Sequence, residues 1–326
     1  MMRNRRAALQ TLWAASLPLL AGRGLAQDDK SPITIVIGIG ASMDVVGRLI
    51  ADQLRETLGR PAVVLNKPGA GQRLALGEVR HAAPDGRTLL FATSGPFAIY
   101  PNIYTGLDYD PATDFTPIGG ISSFDVGIAA SLQSGITTLA QWIEWTRTQP
   151  KGDVVFGSAP GNGSLSHFVG LSLGLASKVG MTHVPYKDSG TGVIDVSTGR
   201  LPLMITGVNA FVELHKAGKL RVLAVSGAQR TAQLPEVPTL KEAGIDVASS
   251  TTTGVFGPPK MGPELARRLH DAIVPMLDRP EVRERIAAQT MTVWPATGAQ
   301  LAASLADERR HFAALVKASG YVPEPL

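Results

Sequence analysis

The stretch Ile33-Thr34-Ile35-Val36-Ile37-Gly38-Ile39-Gly40-Ala41-Ser42-Met43-Asp44 reads as a strand, a glycine turn and the entry to a helix. Its first five residues are apolar or β-branched without a break, which predicts a strand buried on both faces, as in a parallel sheet. From residue 44 to 58, Val46, Leu49, Ile50 and Leu54 recur at helical spacing, and Gly59 closes the helix. The unit then repeats, with a strand at 62–65, a glycine turn at 66–72, a helix at 73–83 ended by Pro84-Asp85-Gly86, and a strand at 88–92. Strand, crossover helix and strand in succession define an α/β domain.

Further along, the pattern predicts helices at 139–149 (stopped by Pro150), 164–177, near 190–198 and near 210–217, with strands at 154–156, 182–184, 203–206 and 222–226. After residue 263 the chain reads as helix alone. Leu301, Leu305, Phe312, Leu315 and Val316 give the last helix one apolar face, expected to pack back on the first domain. That return makes the chain cross between domains twice, near 126–130 and near 252–257. The expected layout is an export signal at 1–26, one domain from 27–128 and 255–326, and a second from 129–254. A chain of this length exceeds the ~250–300 residues at which a single core stops growing.

The amino terminus reads as a segment to be removed. Arg3, Arg5 and Arg6 precede a mostly apolar run from Ala7 to Leu20, and Gly24-Leu25-Ala26 place small residues before a cut at Gln27. The run is shorter than the ~20 residues a membrane span needs, so it predicts release into the periplasm, with Arg5-Arg6 leaving Sec or twin-arginine export open. The segment carries Arg3, Arg5, Arg6 and Arg23 and no acid, so 27 of the 31 basic residues remain against 27 acidic ones. The mature chain is therefore formally neutral. A sequence pI near 9.4 owes its extremity to the leader and gives no case for a nucleic-acid partner. With no Cys, disulfides and a lipid-bearing cysteine are excluded.

Three loops carry the functional signal. Gly38-Ile39-Gly40-Ala41-Ser42-Met43 stands where a dinucleotide fingerprint would, but Met43 replaces its third glycine and Asn66-Lys67 follow the second strand where a ribose-binding acid is needed. What survives is simpler physics: small residues let backbone N–H groups at a helix N-terminus approach an anion. The design recurs at Pro68-Gly69-Ala70-Gly71-Gln72 and at Gly161-Asn162-Gly163-Ser164-Leu165-Ser166-His167. In open α/β sheets ligands sit at the carboxyl ends of strands, where these loops gather.

Catalytic chemistry finds less support. Ser158, Ser164 and Ser166 do not stand in a G-x-S-x-G elbow, and the six histidines lack the i, i+3 or i+4 pairing of a zinc site. Asp108-Tyr109-Asp110 with Asp114 does not have calcium-loop spacing. No metal or cofactor is expected, and a secreted hydrolase stays as the alternative to a binding module, with a ligand sensor for a signalling partner as a third.

Read together, Asn66-Lys67-Pro68-Gly69-Ala70-Gly71, Ala83-Pro84-Asp85-Gly86-Arg87-Thr88-Leu89-Leu90, Tyr109-Asp110-Pro111 with Asp114-Phe115, the Gly161 to His167 loop, Val184-Pro185-Tyr186-Lys187 and Leu234-Pro235-Glu236-Val237-Pro238-Thr239 give the chain its kinship. It resembles the periplasmic solute receptors of tripartite tricarboxylate transporters, the TctC-like or Bug-type family. The resemblance implies a two-domain type II periplasmic-binding-protein fold of open, mostly parallel sheets. It also implies a monomer that closes on a small organic carboxylate and delivers it to membrane permease subunits. Departures from the family pattern put Val36 and Ala41 at a proline and a glycine place, Gln72 and Arg73 after the second glycine loop, Asp188 at a glycine and Thr252 at an aromatic; Asp44 is kept. The nominated ligand-binding set is Gly38, Gly40, Ala41, Ser42, Asp44, Gly69, Ala70, Gly71, Gln72, Arg73, Thr93, Ser94, Ser158, Gly163, Ser164, Ser166, His167, Tyr186, Asp188, Thr206, Asn209 and Thr252. Arg73 is expected either to clamp a second carboxylate, to lie solvated on the first helical turn, or to pair with Asp188 across the cleft.

Overall fold

A computed structural model describes residues 31–150 and 154–326; the export-signal expectation for 1–26 lies outside them. In chain order the first elements are β1 (Ile33–Ile37), α1 (Ala41–Leu58), β2 (Ala62–Asn66), α2 (Arg73–Arg80), β3 (Thr88–Thr93), α3 (Gly95–Ala98), α4 (Tyr100–Ile103), β4 (Tyr104–Thr105) and β5 (Thr116–Phe124). There follow β6 (Val126–Ala130), α5 (Leu139–Thr148), β7 (Val154–Ser158), α6 (Leu165–Ser177), β8 (Met181–Pro185), α7 (Ser189–Ser197), β9 (Leu203–Gly207), α8 (Val212–Lys216) and β10 (Arg221–Val225). The chain ends with β11 (Thr251–Gly257), α9 (Pro263–Ile273), α10 (Pro280–Ala287), β12 (Met291–Thr297), α11 (Gly298–Ser319) and β13 (Glu324–Pro325).

Two sheets organise the fold, one in the order β12-β5-β11-β3-β1-β2 and the other in the order β10-β6-β9-β7-β8. In β1, Ile33, Ile35, Val36 and Ile37 are all buried, as an apolar run in a sheet covered on both faces requires. The sheets are mixed rather than mostly parallel. β1–β2, β1–β3, β7–β8 and β7–β9 run parallel, whereas β3–β11, β11–β5, β5–β12, β10–β6 and β6–β9 run antiparallel. The cause is the connections. β6 and β11 enter their sheets directly from the other lobe, with no crossover helix to turn them parallel.

Those entries move the crossings from their expected places. Sheet membership changes at Asp125, between β5 and β6, and again within residues 226–250; the stretches 126–130 and 252–257 are already strand. The two crossings are tied together. Ser250 donates to the Asp125 carboxylate at 2.6 Å, the Val126 N–H donates to Ser226 Oγ at 3.1 Å, and Ser226 Oγ donates to the Ser249 carbonyl at 2.6 Å. Burial raises the Asp125 pKa above the usual carboxylate value.

Two strands, β12 and the short β13, stand where helix alone was expected after residue 263. β12 holds the edge of its sheet and carries Pro295, with a register shift between Val293 and Ala296. Proline is tolerated at an edge or bulge, where its missing N–H is not needed, so the residue that hid the strand is compatible with it. α11 then spans both lobes instead of serving the first alone. Leu301 and Leu305 join the cluster around Val36, Leu90 and Phe256, while Phe312 and Val316 join the one around Phe156, Phe168 and Leu203. Ser31–Leu326 pack as one compact unit, and α11 contributes to both of its main cores. The start of α11 is a capping box, in which Thr297 Oγ1 accepts from the Gln300 N–H and Gln300 Oε1 accepts from the Thr297 N–H. Thr297→Ala is expected to cost about 0.5–2 kcal/mol in urea unfolding, and a loss below that range would mean that packing alone holds the helix start. No helix among the described residues is long and apolar enough to cross a membrane.

Candidate functional site

In the first lobe the parallel strands β1, β2 and β3 end side by side, so the loops that follow them touch. A Cβ at Gly38 would lie 2.8 Å from the Gln72 Cα, and the Lys67 N–H donates to the Ile37 carbonyl at 2.8 Å. Gly69, Ala70, Gly71 and Gln72 have φ values of 137°, 46°, 60° and 75°, after which Arg73 returns to −60°. Left-handed residues running into a right-handed one turn successive N–H groups toward the same side, the backbone geometry of a nest, and the Arg73 N–H closes the turn on the Ala70 carbonyl. The run is held by the buried Gln72 side chain, whose Nε2 donates to Thr93 Oγ1 at 2.6 Å while its Oε1 accepts from the Thr93 N–H at 3.3 Å. Gln72 and Thr93 therefore hold the loop, with their side chains turned to each other.

The helices behind these loops begin without side-chain caps. α1 starts after Gly40 and α2 after Gln72, neither of which makes a capping hydrogen bond. α3, α4, α8, α9 and α10 also begin uncapped, while α5, α6, α7 and α11 are capped by Thr138, Ser164, Asp188 and Thr297; α1 and α2 are the uncapped helices that follow the glycine loops. First-turn N–H groups have no partner within their own helix; at α2 the Arg73 N–H turns back to the Ala70 carbonyl. Asp44 is otherwise engaged: it accepts from Arg48 Nε at 2.7 Å and Asn66 Nδ2 at 2.7 Å, bracing α1 to the end of β2, and these bonds lower its pKa.

The second lobe repeats the arrangement at the ends of β7, β8 and β9. The Ala159 carbonyl accepts from Ser166 Oγ at 3.0 Å and Thr206 Oγ1 at 3.1 Å, and Thr206 also meets Ser189 Oγ at 2.7 Å. Ser164 Oγ donates to the Gly161 carbonyl at 2.9 Å and accepts from the His167 N–H at 3.2 Å. Both serine protons are thus spent inside the protein, leaving the N–H groups of Leu165 and Ser166 as the donors at this helix end. Tyr186 donates to Asp195 at 2.8 Å, and the Asp188 carboxylate accepts from the Thr191 N–H at 3.0 Å. Asn209 stands exposed, its Oδ1 beside Gly207.

His167 and His183 stack at 3.9 Å between ring centroids. Burial lowers the pKa of His167 to about 3, with the neighbouring His183 adding to the effect, and burial lowers that of His183 to about 4, so both rings are neutral near pH 7. The Gly163 N–H donates to His167 Nδ1 at 3.3 Å, which places the His167 proton on Nε2. Ser158 lies 2.7 Å from His183 Nε2. A hydroxyl against an imidazole is the start of a nucleophilic pair, but Ser158 is wholly buried and His183 stacks on a second imidazole in place of an orienting carboxylate.

Residues that the sequence did not nominate join the two lobes. A Cβ at Gly71 would overlap the Tyr100 hydroxyl; one at Gly163 would overlap Ile103 Cδ1 and lie 3.8 Å from the Tyr104 hydroxyl. Glu308 of α11 accepts from Thr252 Oγ1 at 3.0 Å and from Ser304 Oγ at 3.3 Å, and also bonds Ser94; burial raises its pKa. One signal was readable: Glu308 interrupts an apolar face between Leu305 and Phe312. Cavities of about 360 Å³ beside Gln53 and Arg279 and about 420 Å³ beside Thr138 and His215 lie away from these loops. Among the described residues no group of three or more His, Cys, Asp or Glu is placed to hold a metal.

A family model described as the tripartite tricarboxylate transporter family receptor matches residues 46–321. A Cupriavidus necator protein, "UPF0065 protein in gbd 5'region", is 31% identical over 312 residues, covering 94% of each chain. R. palustris Rpa4515, solved with adipate, is 26% identical with a TM-score of 0.81, over 91% of this chain and 99% of that one. MatC of Rhodopseudomonas palustris, solved with bound malate, is 28% identical with a TM-score of 0.76, over 88% and 99%.

Proposed function

The chain belongs to the tripartite tricarboxylate transporter receptor family, whose members are periplasmic solute receptors and not enzymes, and from that premise we propose that it traps one small organic carboxylate between its lobes for delivery to membrane permease subunits. The observation that carries this reading is the pairing of two uncapped helix starts with the left-handed run at 69–72. One ligand carboxylate sits on backbone N–H groups from Gly40 to Ser42 and from Gly69 to Gly71. The N–H groups of Leu165 and Ser166 close from the second lobe. Charge-assisted bonds of about 1.5–3 kcal/mol each, with helix termini adding about 0.3–1, offset an association cost of about 4–15 kcal/mol. Micromolar affinity, about −8 kcal/mol, needs no buried lysine. The relatives solved with adipate and malate support the ligand class.

Closure turns on Asp125 and the 226–250 segment, where both crossings are bonded side by side. The protein works in the periplasm after cleavage near Ala26. A thermal-shift screen over mono-, di- and tricarboxylates tests the reading: a ligand at a hundredfold over its dissociation constant adds about 2.7 kcal/mol and raises the unfolding midpoint. Saturating ligand should also shrink the radius of gyration in small-angle scattering. A screen without any shift would count against carboxylate capture, and a shift with an unchanged radius would count against closure alone.

A further inference from the structure

We propose that Arg73, held between the glycine nest and the Tyr104 ring, reads a second acidic group at the far end of the ligand, so that the site favours a diacid over its own half-amide. This rests on the reading above, in which the nest holds the first carboxylate. Arg73 opens α2 immediately after the left-handed run. Its Nε donates to the Ala70 carbonyl at 3.0 Å, and its Cζ lies 5.8 Å from the centroid of the Tyr104 ring. A carbonyl at one edge and an aromatic face below fix the plane of the guanidinium and leave both terminal nitrogens free to make a two-pronged bond to a carboxylate.

The charge is unmatched. Among the described residues no acid pairs with Arg73, as none does with Arg147, Arg285 or Arg309, while Arg48, Arg80, Arg230, Arg267 and Arg279 are each paired with an acid. Pairing with Asp188 is replaced by that residue's cap on α7. The surroundings hold Arg73 where the lobes meet. Tyr104 packs edge-on against Tyr100 at 5.3 Å, Tyr100 abuts Gly71 of the nest, and Tyr104 lies beside Gly163 of the opposite lobe. Desolvation raises the pKa of both phenols, so they stand as neutral donors beside the cation.

The test is calorimetric titration of the purified protein with aliphatic diacids of four to six carbons, each compared with the half-amide of the same length. The wild type should prefer the best diacid by roughly 10- to 100-fold, the effect of one charge-assisted contact. Arg73→Gln should bring that ratio close to one. Arg73→Lys keeps the charge without the fork and should fall between, and Tyr104→Leu should lower the ratio severalfold by removing the face beneath the guanidinium. If Arg73→Gln fails to fold, the lysine and leucine variants decide the matter. A variant ratio equal to that of the wild type, or equal losses for diacid and half-amide, would reduce Arg73 to a brace for the loop. A wild type that binds half-amide and diacid alike overturns this inference alone; one that binds neither overturns the carboxylate reading beneath it.

Discussion

Gly71→Ala is expected to lower the unfolding free energy by about 2–5 kcal/mol and to abolish carboxylate binding, while Gly40→Ala, which carries backbone strain alone, costs about 1–3 kcal/mol. Both glycines have φ of 60°, but Gly71 with ψ of 43° lies in the left-handed helical region, where an L-residue costs about 1–2 kcal/mol, whereas Gly40 with ψ of 149° lies in a region kept almost wholly for glycine, where the cost is about 1–3 kcal/mol. They differ in surroundings. A Cβ at Gly40 meets nothing within 4 Å, whereas one at Gly71 overlaps the Tyr100 hydroxyl, and that ring is pinned against Tyr104. Overpacking of this kind adds about 1–3 kcal/mol and twists the nest that aims the N–H groups. Urea unfolding of the two variants, with titration of the best carboxylate found by thermal shift, separates the contributions. A cost at Gly71 of only about 1–2 kcal/mol, that of backbone strain alone, would show that the Tyr100 contact is soft.

The nest shows where sequence reading succeeds and where it stops. Short glycine turns between apolar runs were legible because strand burial and helical spacing are local properties, and the three loops do follow β1, β2 and β7. What those loops touch was not legible. Tyr100 and Ile103 meet Gly71 and Gly163 only because the segment after β3 packs beneath the second lobe, a contact set by tertiary structure. The crossings were displaced for a related reason: β6 and β11 carry apolar runs that satisfy a strand as well as a linker, and only pairing shows which sheet they join. β12 was hidden by Pro295, whose cost depends on lying at an edge that the sequence does not mark. Ser164 and Ser166 were nominated as ligand-binding residues from their place in the loop. Their protons go instead to the carbonyls of Gly161 and Ala159, so the loop's donors become backbone groups, as in the first lobe.

The same second-lobe loop gives the steepest expected response to acid. His167 is 4% exposed, and its folded pKa of about 3 lies below the unfolded value of 6.5. The unfolded chain therefore takes up the proton first. Stability from this source is level above about pH 6.5, falls as the pH drops below it, and levels off only near the folded value. By pH 4 the loss from His167 is about 3 kcal/mol, at about 1.4 kcal/mol per pH unit, and the half-buried His183 adds to it until its own folded value near 4. Asp125 and Glu308 act with the opposite sign: their raised folded values favour proton uptake by the native state and soften the total slope. The contribution of His167 is isolated by His167→Asn, whose Oδ1 can accept the Gly163 N–H that Nδ1 accepts now but cannot titrate. Between pH 6.5 and 4 the unfolding free energy of this variant should fall by about 3 kcal/mol less than that of the wild type, whatever its offset at neutral pH. Parallel curves would mean that the His167 ring is protonated in the native state, and that its stack on His183 does not keep the loop neutral.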